Sequence, residues 1–149
     1  MANVVPHSFK SELLSGTHNF ANGGDAFKLA LYTAGSGSPY AATDTAYSSS
    51  VSNEVSTSAP NAGYTTGGLQ LQSQAVATGT GTATVDFANL NFPSSTFSAA
   101  YGVIYNDDKS DKLCVVLDFG GTKTATNGDF TIVFPDPSTP ANAIISLTS

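Results

Sequence analysis

The sequence predicts an all-β chain: an antiparallel β-sandwich, jelly-roll-like, with one short N-terminal helix. Three observations predict it. Thr, Val, Phe and Tyr recur in short runs while helix formers are scarce. Turn residues (Gly, Asn, Asp, Ser) separate these runs at the spacing of a sandwich. Residues 98–134 read as three consecutive strands joined by two polar turns, with Tyr101, Val103 and Tyr105, then Leu113, Val115, Leu117 and Phe119, then Phe130, Ile132 and Phe134 sharing faces. Ile104, Cys114, Val116 and Val133 make the alternate positions apolar too. Strands buried on both faces look like this, so the three-strand meander is expected at the middle of the fold. Its first turn is 106–111; its second ends in Asn127-Gly128, a pair suited to positive φ.

In chain order, residues 1–6 read as an extended arm. Residues 8–15 form the one good helix, with Ser8 as its cap, Phe9, Leu13 and Leu14 near one face, and Gly16 to stop it. So apolar a helix must dock, either as a plug at one end of the sandwich or on another subunit. Residues 22–25 (NGGD) turn into a strand over 26–33, with Phe27, Leu29 and Leu31 inward and Lys28 and Tyr32 on the other side. Residues 34–60 are a long Gly/Ser/Thr/Ala stretch punctuated by Tyr40, Tyr47 and Val51, with a short edge strand at 53–56. A loop of that length is often functional, and it is the candidate partner-facing surface. Turns at 63–68 and 78–81 flank a strand at 69–76, and 82–87 forms the next. Pro135, Pro137 and Pro140 make a loop, and 143–147 (AIISL) the last strand. The division is residues 1–20 as arm and helix and 21–149 as a single β-sandwich domain.

Composition narrows function. The formal net charge is −6, only 11 % of residues are charged, and all five basic residues are Lys. Without Arg there are no bidentate contacts to phosphate or guanine, so no nucleic acid is expected as partner. No apolar run is long enough to span a membrane, and residues 1–10 lack the apolar segment behind a basic start that marks a secretory leader. The lone Cys114 reads as a small buried hydrophobe.

Chemistry-bearing patterns are few. No Gly-x-Ser-x-Gly elbow or phosphate-cradling loop is present. His7 and His18 flank the helix with Glu12 as the nearest carboxylate, and their spacing fits no zinc site; they read as capping or surface histidines. The turn 107–111 (DDKSD) departs from calcium-loop spacing and reads as a solvated tip whose carboxylates Lys109 and Lys112 screen. Asp118 is expected to accept backbone hydrogen bonds from the Gly120-Gly121 turn. No pair of carboxylates suits glycoside hydrolysis. No catalytic residue, metal site or cofactor is assigned, and the expectation is that the chain is not an enzyme.

The segments FKLALYT, EVSTSAPNAGYTTGGLQL, AAYGVIYNDD, LDFGGTKTATNGDFTIVFP and AIISL, opened by FKSELLSGTHNF, follow one another in an order that resembles a group of small virion structural proteins of tailed bacteriophages. The resemblance covers nearly the whole chain. It implies a capsid cement or decoration protein bound to the outside of the major capsid shell, located on the capsid exterior of the virion and made in the host cytoplasm. Its partners would be the major capsid protein and further copies of itself, as dimer or trimer. Where members of the group carry a Trp near 90–97, this chain has none, and Phe92 or Phe97 takes that space. The contact residues expected on this reading are Phe9, Leu13, Leu14 and Phe20 from the arm and helix, with Tyr40, Tyr47 and Val51 from the long loop. The alternatives are a phage tail or head-fibre component contacting the host, and a carbohydrate-binding β-sandwich module using Tyr32, Tyr40, Tyr47 and Tyr64 as platforms.

Overall fold

The computed structural model describes residues 3–35, 37–57, 63–136 and 143–148. Among the described residues the chain is all-β, with two antiparallel sheets and one short helix. The elements are α1 (His7–Leu14), β1 (Phe27–Tyr32), β2 (Leu69–Gln70), β3 (Ala75–Gly79), β4 (Thr82–Asp86), β5 (Leu90–Asn106), a 3₁₀ turn (Asp107–Lys109), β6 (Lys112–Ile132) and β7 (Ile145–Thr148). The larger sheet has the order β2-β1-β5-β6 and the smaller one β3-β4-β7. Residues Met1, Ala2, 58–60, Pro137 and Pro140, which belong to the expected arm and loops, lie outside the described residues.

The expected three-strand meander is a two-strand hairpin. β6 runs unbroken from Lys112 to Ile132 and pairs with β5 along its whole length. What read as a second turn is a set of bulges. Residues 119–122 stand opposite Ala100 alone, with Gly120 and Gly121 at φ +69° and +132°, and Asn127 takes φ +48° beside a second irregularity. These residues do adopt the left-handed conformations their types allow, but they bend one strand where a hairpin turn would reverse it. The strand expected at 69–76 likewise divides into β2 and β3, and that at 53–56 is a single bridge from Tyr32 to Glu54. β5, between β1 and β6, is the buried centre; Ala99 to Asn106 are all buried.

The two faces of the larger sheet carry different cores. One holds Phe27, Leu29, Leu31, Phe92, Phe97, Ile104, Val115 and Phe130, which pack with Val85 and Phe87 beside the smaller sheet. The other holds Ala30, Tyr32, Tyr101, Val103, Tyr105, Leu113 and Val116, covered by Tyr40, Tyr47, Val51 and Val4. Tyr32 thus does face away from Leu31, but into a second core that leaves it 0 % exposed. Gly68 lets the chain press against β1: at φ +77°, any Cβ there would overlap the Leu29 carbonyl.

The helix plugs the larger core. Phe9 is buried and Leu13 packs beside it, four residues on. Leu14, five residues from Phe9 and so about 140° around the helix, points outward and is 92 % exposed. Ser8 is not the cap: Pro6 holds that position, no side chain caps the helix, and Ser8 lies in its first turn. The other end closes as expected at Gly16, φ +71°, where the Gly16 N–H reaches Leu13 O (3.2 Å) and the Thr17 N–H reaches Glu12 O (2.9 Å).

Candidate functional site

Three places gather functional groups. The first lies where α1, the 18–25 segment and the hairpin tip meet. His18, buried among the rings of Phe9, Phe20 and Phe27, has Nε2 2.9 Å from Glu12 Oε2 and Nδ1 2.9 Å from Asn106 Nδ2. Asn106 also donates to Asp25 Oδ2 (2.9 Å), which sets the amide with its NH₂ toward His18. Nδ1 is then the acceptor and Nε2–H donates to Glu12. Lys112 donates to Glu12 Oε1 (2.6 Å), and Lys109 pairs with Asp25 at 3.4 Å. Burial raises the Glu12 carboxyl, but the hydrogen bonds from Lys112 and His18 outweigh it and hold the group below its ordinary range. Asp25 is lowered in the same way: against burial act the Asn19 N–H, the Asn106 amide and Lys109.

His18 is therefore no surface histidine, and the two lysines do not screen the tip carboxylates. At the tip, Lys28 pairs with Asp107 (2.9 Å) and Asp108 accepts the Ala26 N–H (2.8 Å). Burial and the Asp107 charge raise the Asp111 carboxyl. Both nitrogens of His18 are engaged, so the cluster cross-links helix, segment and hairpin and leaves no free base. Cys114 is buried, which pushes its thiol well up and disfavours the thiolate. Among the described residues no three His, Cys, Asp or Glu side chains converge for a metal ion.

The second place is the long loop laid over the tyrosine face. Glu54 Oε1 accepts from Tyr64 OH (2.7 Å) and the Gly67 N–H (2.7 Å), and Oε2 from Tyr47 OH (3.0 Å). Tyr47 stacks on Tyr105, ring centroids 4.4 Å apart and 9° from parallel, and Tyr105 OH donates to Gly67 O (2.7 Å). Tyr40 OH takes the Ser48 N–H (2.8 Å), bonds Ser48 O and lies 3.2 Å from Tyr32 OH. Burial first, and the hydrogen bond to Glu54 after it, raise the Tyr47 and Tyr64 phenols. The tyrosines hold the loop down. Of the four tyrosines that could serve as sugar platforms, Tyr32, Tyr40 and Tyr64 are buried, and Tyr47 is partly buried with one ring face covered by Tyr105.

The third place is open and of mixed character. A groove of about 510 Å³ is lined by Leu117, Phe119, Phe130, Ile132, Val133 and Ile144, with Asp118, Lys123 and Asp129 also on its walls. It adjoins, through Ala143 and Ile144, a recess of about 440 Å³ between α1 and β7, lined by Val5, Phe9, Leu13, Ile145 and Leu147. Val133 and Leu147 are 71 % and 60 % exposed. Asp118, at the groove, accepts the Gly120 N–H (2.9 Å) as expected, and this bond lowers its carboxyl.

Of the seven expected contact residues, Phe9, Phe20 and Tyr40 are buried in the chain's own cores, while Leu13, Tyr47 and Val51 are partly buried against them. Side chains committed to the interior offer no surface without unfolding, and only Leu14 is exposed. The long loop is a cover. Val133, expected on a strand buried on both faces, instead stands exposed just past the end of β6, and Val5 and Leu147 are exposed as well, because an apolar valine or leucine carries no sequence mark that separates an exposed position from a core one. No helix among the described residues is long and apolar enough to cross a membrane. Comparison of the chain with protein-family models, with curated proteins and with solved structures finds no match.

Proposed function

We propose that the protein is a bacteriophage capsid cement or decoration protein that binds the outside of the major capsid shell and bridges neighbouring capsomers. The observation that carries this reading is the division of its side chains. The acidic groups Glu12, Asp25 and Glu54 and the imidazole of His18 are bonded within the chain, while Leu14, Val133 and Leu147 stand outside on a domain with a weakly charged surface. Apolar side chains beside shallow grooves suit contact with a protein surface. A copy that binds only where two capsomers adjoin favours the assembled shell by mass action, and many such contacts add avidity. The protein acts there by binding, without catalysis, metal or cofactor. The order of segments quoted from the sequence supports the same reading.

The test is the copy number in purified virions, measured by quantitative mass spectrometry against the major capsid protein. A ratio of one copy per shell subunit, or one per few, is the expected result. A handful per particle assigns the chain to a tail or head fibre, and absence from particles overturns both. Leu14→Asp then locates the contact: shell occupancy falls, while fold stability changes by no more than about 0.5 kcal/mol because the side chain is outside.

A further inference from the structure

Two open sheets have four edges, and three of them carry a device against pairing with another chain. β2 has two residues. β6 is closed along its first half by bridges from Val4 to Val116 and from Ala46 to Lys112. Along its second half it is bent at Gly120, Gly121 and Asn127 and carries Lys123 and Asp129. β7 has four residues and faces α1 across the recess that Phe9, Leu13 and Leu147 line.

β3 carries none. Its five residues, Ala-Val-Ala-Thr-Gly, pair with β4 without a bulge, and Val76 is 51 % exposed. Thr80 and Gly81 join the two strands, so the pair that closes this two-residue turn, Gly79 and Thr82, exchanges both backbone hydrogen bonds. Bonded and non-bonded pairs alternate from there, which makes Ala77–Thr84 and Ala75–Asp86 the next bonded pairs. The N–H and C=O groups of Val76 and Thr78 therefore point away from β4, out of the sheet. No described residue supplies them a partner.

We propose that β3 is a self-association edge: a second copy of this chain lays its own β3 antiparallel against it, across a two-fold axis at Ala77, joining two three-stranded sheets into one. Symmetry selects the occupant. About that axis Val76 faces Thr78 of the partner subunit and the reverse, so the same four outward groups satisfy one another and the contact closes at two copies. Charge permits it. No charged residue lies between Glu54 and Asp86, so two chains that each carry a net charge of −6 meet on an uncharged strand. A five-residue edge is a small contact, so the association is concentration-dependent. This inference rests on the sheet edges alone and stands or falls independently of the shell.

The experiment is sedimentation velocity on the purified full chain, with no capsid present, from about 1 µM to about 1 mM. The mass is expected to rise from one chain to two. Val76→Pro removes one outward N–H from each copy and none from the β3–β4 ladder. At the usual net worth of two hydrogen bonds it weakens the dimer about thirtyfold. Thr78→Lys, at an exposed position, places a charge on the edge and has the same direction; it carries the test if the proline variant fails to fold. Amide exchange at Val76 and Thr78 slows with concentration in the parent chain alone. A parent chain that stays single throughout the range, one that forms trimers, or folded variants that associate like the parent overturn the proposal.

Discussion

The two faces of the larger sheet solve the same burial problem with different chemistry. The face toward the smaller sheet is dominated by phenylalanine: Phe20 stacks on Phe27 at 4.3 Å, and Phe92, Phe97 and Phe130 pack edge to face or tilted. The opposite face is dominated by tyrosine: Tyr32, Tyr40, Tyr101 and Tyr105, with Tyr47 packed on them. The covers differ correspondingly. A strand arrives with its backbone groups already paired in its own sheet, so it can be covered by rings that offer no hydrogen bond. A loop arrives with N–H and C=O groups that water no longer reaches, and each needs a partner. Tyrosine supplies apolar area and a hydroxyl in one side chain, and here those hydroxyls meet Ser48 N–H, Ser48 O and Gly67 O.

That contrast can be broken from either side. The largest effect is expected from Phe27→Ala. The residue is fully buried and stacked on Phe20, so its loss leaves a cavity and lowers unfolding free energy by about 3–5 kcal/mol in urea titrations. A cost under 1 kcal/mol would show that the phenylalanine face is loosely packed.

Next comes Tyr40→Phe, which keeps the ring and deletes one hydroxyl. If the loop is held by hydroxyls, the cost is about 0.5–1.5 kcal/mol, the net worth of the bond from the Ser48 N–H on an exposed residue. Exchange at the Ser48 amide accelerates while the amides of β5 stay protected. An unchanged Ser48 amide would mean that ring packing alone secures the loop.

The smallest effect sharpens the comparison, because the phenylalanine side has its own polar anchor at Glu12, His18 and Asp25. Glu12 and Asp25 are lowered in the folded chain, so their contribution is complete above their unfolded values of 4.5 and 3.8 and is lost as pH falls through the lower folded values. The melting temperature therefore drops on acidification below the ordinary carboxylate range. Glu12→Gln flattens part of that acid limb. Lys112 is partly exposed, so the change at neutral pH stays within about 1 kcal/mol. An acid limb identical in the variant would assign the pH dependence elsewhere.

Features that depend on near neighbours in the chain are legible in the sequence. Alternation over 27–32 and 82–86 made those strands legible, Gly16 marked the end of the helix, and the apolar run over 101–105 announced a strand buried on both sides. The rest is set by packing between distant segments. Gly120-Gly121 and Asn127-Gly128 have the composition of turns, yet pairing with β5 on both sides of them makes them bulges. Phe9 and Leu14 are equally apolar, and it is the angle of the helix on β6 that buries one and exposes the other. The stretch 34–57 is polar enough to read as a free surface, and the tyrosines that pin it from outside, Tyr32, Tyr64 and Tyr105, include one from β5 that lies 48 residues beyond its end. His18 looks solvent-facing in the sequence because its partners lie 6 and 88 residues away. Periodicity and turn chemistry are local and are written in consecutive residues, whereas which face is covered, and by what, follows from contacts between segments that no short window contains.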